Sequence, residues 1–294
     1  MTKPNGHLIT TGTRIGKNVT VLGVVDGGAK DPVYIGWHHG AWCPMACKIF
    51  RSHHRAEREA NIISALAHPY IIRLLGLEKP GLLLMEFLEG PTLSHLLDEA
   101  RAHRLGISDA IRVTIHLGAA LQHIHGRGFM HLDVKPANVI IARSGHPMLF
   151  DFGSARQIGA RRTAHVVGTD LYIAPEECRR GAVTPQADVF SLGVSLYEML
   201  TGEFPFGNGT RSDPFPQMRA DLVPARRRRR VLPADLDAIV LSCLSRDPDK
   251  RPTLEVLMPS LHTFIKVGPK MWPDGFRPES MGDDKRGEGS RKAA

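Results

Sequence analysis

At Glu89-Gly90-Pro91 the hydrophobic pattern of the chain changes its period. Before that point VTVLGVV, PVYIGWH, MACKIF, IIRLLGL and GLLLMEF are short β-rich runs. The first three are punctuated by DGGAKD and HHGAW, the pattern of an antiparallel meander. One helix interrupts them: Ala56, Ala60, Ile63 and Ala67 fall on one face, and Pro69 ends it. Beyond the boundary the apolar spacing is helical. Leu93, Leu96, Leu97 and Ala100 form one face; Ile111, Ile115, Gly118 and Leu121 a second; Val189, Leu192, Leu196 and Met199 a third; Leu236, Ile239, Val240, Cys243 and Leu244 a fourth. Each is expected to exceed two turns. HLDVKPANVII and PMLFDFGSA, between the second and third, read as loop and short strand. A strand-rich lobe followed by a helical lobe, an α+β chain, is what these periods support.

With 294 residues there is enough chain for an ordinary core, and 42% apolar against 23% charged residues excludes wholesale disorder. The longest apolar stretch, residues 81–88, is interrupted by Glu86 and falls far short of the roughly 20 residues that cross a bilayer. The opening MTKPNGHLIT has no apolar core of a secretion signal. The expectation is a cytoplasmic protein without a membrane partner. Cys43, Cys47, Cys178 and Cys243 are too scattered for a disulfide framework. Cys43 and Cys47 near His38, His39, His53 and His54 could be drawn as a metal site, but no second cysteine pair follows; buried thiols and solvated histidines are the simpler reading. The net charge of +8 permits an acidic partner. Its densest source is the run Arg226 to Arg230, for which two readings stand: capture of nucleic acid or an acidic protein, or a solvated loop.

The reactive residue types concentrate in His131-Leu132-Asp133-Val134-Lys135-Pro136-Ala137-Asn138, with Asp151-Phe152-Gly153 following. Phosphoryl transfer needs such a set. A carboxylate orients the attacking hydroxyl and takes its proton, hard oxygens hold Mg²⁺, and a cation offsets the γ-phosphate charge. A polar turn with unrelated charges would not repeat that order.

Together with Ala174-Pro175-Glu176, the run 188–193 (DVFSLG) and Arg251-Pro252, the string resembles eukaryotic-type Ser/Thr protein kinases, including their soluble bacterial members, over residues 18 to 265. The resemblance implies a two-lobed protein-kinase-like fold with lobes at 18–88 and 89–265 and leaves an N-terminal extension at 1–17; the composition of 266–294, rich in Pro, Gly and charge, is that of a disordered tail. It implies ATP-dependent phosphorylation of protein Ser and Thr hydroxyls, autophosphorylation included, with Mg²⁺, or Mn²⁺ in its place, as cofactor. The alternative is a pseudokinase scaffold or nucleotide-binding module.

Residue by residue, Asp133 resembles the family's catalytic base, Lys135 the lysine on the γ-phosphate, and Asn138 and Asp151 the two metal ligands. Lys48 stands where a strand lysine holds the α- and β-phosphates, and Glu59 matches its helix partner, with Glu57 as fallback. Glu86 and Leu88 would flank the adenine-reading hinge, with Met85 guarding the pocket behind. Glu176 and Arg251 match a structural ion pair, and Asp188 the brace of the catalytic loop. Thr169, read with Lys135, implies Ser/Thr specificity; the surrounding segment through Glu176 implies a protein substrate.

Three departures stand out. At the phosphate loop's three glycine places are Asp26, Gly28 and Asp31, so two carboxylates would repel ATP unless Mg²⁺ or Lys30 offsets them. The interval from Lys48 to Glu59 is short, implying a clipped helix start. Leu132 replaces the family's usual arginine, which pairs with a phosphate on the activation segment. Phosphorylation at Thr163, after Arg161-Arg162, would then lack its main partner and leave activity largely unchanged, while Thr169 remains essential.

Overall fold

The computed structural model describes residues 8–26, 31–78, 80–160, 171–179 and 182–265, without the side chain of Asp26. Gly28, Lys30, Arg161, Arg162, Thr163, Thr169 and the segment 266–294 lie outside them.

Strands β1 (Arg14–Ile15), β2 (Val19–Asp26), β3 (Val33–His38), β4 (Cys43–Ile49), β5 (Leu74–Glu78) and β6 (Leu82–Glu86) form one antiparallel sheet in the order β1-β2-β3-β4-β6-β5. Its period-2 alternation sorts two faces. Val19, Val21, Tyr34, Met45, Cys47, Leu82 and Leu84 make a separate small core on one side. On the other, the register pairs Val33 with Lys48, Lys48 with Leu83, Ile35 with Ala46 and Ala46 with Met85. Cys47 is thus a packed thiol, which burial pushes up to about 11, and no group of three or more His, Cys, Asp or Glu side chains that could hold a metal ion occurs among the described residues. Residues 8–17, expected as an extension, contribute β1 to this sheet.

Helix α1 (His53–Ser64) packs Ala56, Ala60, Ile62 and Ile63 against the Lys48 face. It ends before Pro69, as expected, yet Ala67 lies past its last turn and is exposed rather than on the buried face.

Among the described residues after β6 the helices are α2 (Leu93–Glu99), α3 (Ile107–Gly126), α4 (Pro175–Cys178), α5 (Gln186–Thr201), α6 (Ala225–Arg228), α7 (Ala234–Cys243) and α8 (Leu254–His262). At seven residues α2 falls just short of the two turns expected of it. Helix α5 is buried nearly all round, wider than the single face read from sequence. It stops at Gly202, whose φ of 78° is left-handed and whose missing Cβ would strike the Ala102 carbonyl. No expected face announced α8, because Pro259 interrupts it; Leu254, Leu257 and Leu261 still make a buried stripe. No helix among the described residues is long and apolar enough to cross a membrane.

Between the halves, the link after α1 stacks on α3: Tyr70 on His116 (centroids 4.4 Å apart) and His68 on His123 (5.3 Å). Three side chains of the arginine run bond within the helical lobe. Arg229 donates to the Leu105 and Leu200 carbonyls, Arg226 to the Leu232 carbonyl, and Arg228 pairs with Glu203 at 3.0 Å, so these three hold α6 to the helical lobe.

Candidate active site

Four short strands set the geometry: β7 (Phe129–Met130), β8 (Val139–Ile141), β9 (Pro147–Leu149) and β10 (Arg156–Gln157). The reactive loop runs from β7 to β8. Because Val139 pairs with Leu149, and Phe150 N–H donates to the Asn138 carbonyl, the β8–β9 hairpin brings Asn138 beside Asp151. Two motifs that are separate in sequence thereby share one cleft.

Inside the loop the groups converge on Asp133. Asn138 Nδ2 donates to its backbone O at 2.8 Å and to Oδ2 at 2.9 Å, and Lys135 Nζ lies 3.0 and 2.9 Å from its two carboxylate oxygens. With the amide nitrogen so engaged, the Asn138 side-chain oxygen is the atom left to meet a cation.

Across the cleft Lys48 Nζ reaches Glu59 Oε1 at 2.8 Å and Asp151 Oδ1 at 2.8 Å. Burial alone would lower the Lys48 pKa, but the Asp151 and Glu59 carboxylates outweigh it and raise it. Burial works against the Asp151 carboxylate too, yet Lys48, the Gly153 N–H and His131 hold it below the usual range. Burial pushes Glu59 up, with Lys48 opposing. Glu57, the fallback, is half exposed and pairs with His53 instead. An ionised Asp151 and the Asn138 amide oxygen are hard donors that suit Mg²⁺ or Mn²⁺.

Met85 is buried on the Lys48 face, Glu86 ends β6 and accepts from Arg73 N–H at 2.8 Å, and Leu88 is half-buried in the link to α2. Val33, Ile35 and Ala46 extend the apolar strip beside Met85. Sequence reading had missed them, although strand alternation from Lys48 identifies them.

Support comes from buried polar groups. Asp188, fully buried on α5, accepts from Leu132 N at 2.7 Å, His131 N at 2.9 Å and His125 Nε2 at 2.8 Å. Burial would raise its pKa, but the His125 hydrogen bond, with His131 and Leu132 adding, brings it below the ordinary value. His125 was not anticipated; its place four residues after Leu121, on the same stripe of α3, was the available signal. Glu176 and Arg251 form a two-pronged pair at 2.7 Å on both prongs, under a guanidinium that lies 4.9 Å from the Phe190 ring centre. Tyr172 donates to Glu198 Oε2 at 2.5 Å, and burial lifts that carboxyl to about 7, Tyr172 opposing and Asp98 adding.

A further set ties α1 to its surroundings. Arg58 Nη2 donates to the Gly153 carbonyl at 2.6 Å, and Arg55 Nη2 pairs with Asp31 Oδ2 at 2.7 Å. Among the described residues, Arg55 is thus a counter-charge to Asp31.

The protein kinase domain family matches residues 20–263, most of the chain. The chain belongs to that family. The serine/threonine-protein kinase PknB of Mycobacterium tuberculosis is 37% identical over 210 residues, 67% of this chain and 33% of that protein. PkaA of Streptomyces coelicolor, also named a serine/threonine-protein kinase, is 37% identical over 221 residues, 72% of this chain and 40% of its own length. PrkC of Bacillus subtilis, likewise so named, is 29% identical over 255 residues, 82% of this chain and 39% of that one. The chain thus spans a third to two fifths of the length of these kinases. The family's two-lobed α+β fold is the one described above.

Proposed function

We propose that this chain is an ATP-dependent protein kinase that phosphorylates Ser and Thr hydroxyls of proteins, its own included, in the cytoplasm. The observation that carries this reading is Lys48 Nζ held at 2.8 Å from both Glu59 and Asp151, across the cleft from Asp133.

The charges divide the work. Lys48, fixed between two carboxylates, meets the α- and β-phosphates. The apolar strip of Val33, Ile35, Ala46 and Met85 receives the adenine, with the backbone at Glu86 and Leu88 reading its edge. Asn138 and Asp151 hold Mg²⁺, which when bound neutralises charge on the phosphates. Asp133 orients the acceptor hydroxyl and takes its proton, while Lys135 offsets charge on the transferred group. Thr169 belongs to this reading as the contact of Asp133 and Lys135 that selects Ser or Thr.

The test uses the purified chain with Mg²⁺, labelled ATP and a basic protein, read for phosphoserine and phosphothreonine. Label on both residues that disappears in Asp133→Asn supports the reading. Binding of Mg-ATP with no transfer would replace it with the pseudokinase alternative.

A further inference from the structure

Asp31 stands where a glycine belongs in a phosphate loop, and its surroundings show how the chain accommodates it. Two residues before Val33, it continues the face on which Val33 pairs with Lys48. Its carboxylate acts electrostatically on Glu59, the partner of Lys48. The side chain is only 5% exposed, and Oδ1 meets no hydrogen-bond donor among the described residues. A buried carboxylate on the Lys48 face opposes the approach of a triphosphate unless a cation is attached to it.

Arg55 supplies that cation. It projects from α1 four residues before Glu59, binds Asp31 Oδ2 at 2.7 Å and lies 5.9 Å from the Phe50 ring centre. Lys48 Nζ lies 5.1 Å from the centre of that same ring, so one phenyl borders both cations. From α1, then, Arg55 reaches the hairpin root, Arg58 the Gly153 carbonyl and Glu59 the strand lysine.

We propose that Arg55 is a positioning residue for nucleotide: by pairing with Asp31 it cancels the carboxylate that replaces glycine and fastens the β2–β3 hairpin root to the helix carrying Glu59. The inference rests on the kinase reading, since it concerns how that site admits ATP.

The experiment compares wild type with Arg55→Gln, Arg55→Lys, Asp31→Asn and the Asp31→Asn/Arg55→Gln double variant. Each is assayed for KM and kcat with Mg-ATP and for melting with and without it. Stripping the counter-ion from a buried carboxylate should raise KM at least about fivefold in Arg55→Gln, with kcat within about twofold. Arg55→Lys, which keeps the charge, and the double variant, which removes both charges, should stay within about threefold of wild-type KM. An unchanged KM in Arg55→Gln, or a double variant as impaired as the single one, overturns the inference. If Arg55→Gln does not fold, the double variant decides: a KM raised beyond threefold overturns the inference, and one within threefold supports it. Wild type that neither melts higher with Mg-ATP nor transfers phosphate overturns the kinase reading, and this inference with it. Activity that is equal in all five proteins overturns only the role of Arg55.

Discussion

Asp188 Oδ1 accepts the backbone N–H of Leu132 at 2.7 Å, and Leu132 holds a φ of 62° although it is not glycine. A left-handed leucine costs about 1–2 kcal/mol, so the brace holds the 131–138 loop in a shape it would not keep alone. Asp188→Asn replaces one accepting oxygen with a donor that faces other donors. The expected outcome is at least about a tenfold loss in kcat, roughly 1.4 kcal/mol, with KM for ATP little changed. Unchanged turnover would show that the loop keeps its shape without the brace.

Leu132→Gly separates conformational cost from packing. Glycine relieves about 1 kcal/mol of backbone strain, but loss of a leucine only 6% exposed costs about 2–5 kcal/mol. Packing wins, and urea unfolding should show a net destabilisation. A gain in stability would mean that strain dominates at this position.

Lys48→Met and Asp151→Asn should each lower phosphoryl transfer at least about a hundredfold while the fold persists. The buried Glu59 left by Lys48→Met can take up a proton, since burial already pushes its pKa upward. Circular dichroism and single-turnover assays check both halves. Near wild-type transfer by either variant would remove that residue from the mechanism.

Within the arginine run, position decides the effect. Arg229 bonds two backbone carbonyls, Leu200 in the last turn of α5 and Leu105 before α3. Arg229→Gln should cost about 1–3 kcal/mol in urea unfolding. Arg227 and Arg230 are exposed, and changing them to Gln should move stability by less than about 0.5 kcal/mol. Equal losses at all three positions would contradict the anchoring role of Arg229.

The histidine stack predicts acid sensitivity. Burial, with His146 and Arg112 adding, brings His116 down to about 4; burial and His123 lower His68, and burial and Arg127 lower His123. An unfolded histidine takes its proton near about 6.5, so between that pH and about 4 the unfolded chain binds more protons than the folded one. Stability is therefore fully present above the upper value and is lost as pH falls through the window. His116→Phe keeps the stacking without titrating. In urea unfolding at pH 7 and pH 5, the variant should lose less stability than wild type between the two; equal losses would refute the assignment.

Asp133, Lys135, Asn138 and Asp151 could be singled out as candidates because phosphoryl transfer calls for those residue types and they lie in short ordered strings. Lys48 and Glu59 came only from the resemblance to the kinase family, Glu59 because its segment precedes LAHPYI as the family's does. His125 was not: its partner Asp188 lies 63 positions away, and a single histidine on a helix carries no message without that partner. The Arg55–Asp31 bond was hidden in the same way: Asp31 stood out at a glycine place, but nothing in the sequence tied it to an arginine 24 positions on. The two lobes followed from the change of period at Glu89-Gly90-Pro91. Helix α8 did not, because Pro259 breaks the propensity on which such a reading depends. Strand β1, two residues long, is too short to show alternation.

That small strand bears on where this domain can be cut. Gly12 N–H bonds the Val21 carbonyl, the Thr13 carbonyl receives the Val21 N–H, and Ile9 and Ile15 lie over the core of Val19, Val21 and Tyr34. Trimming the protein to the first residue of the family match, Thr20, would unzip β2 along its outer edge and leave a raw, sticky rim on the sheet. The workable excision point for this kinase domain lies ahead of Ile9, whose N–H bonds the Tyr34 hydroxyl, eleven residues upstream of where the family match begins.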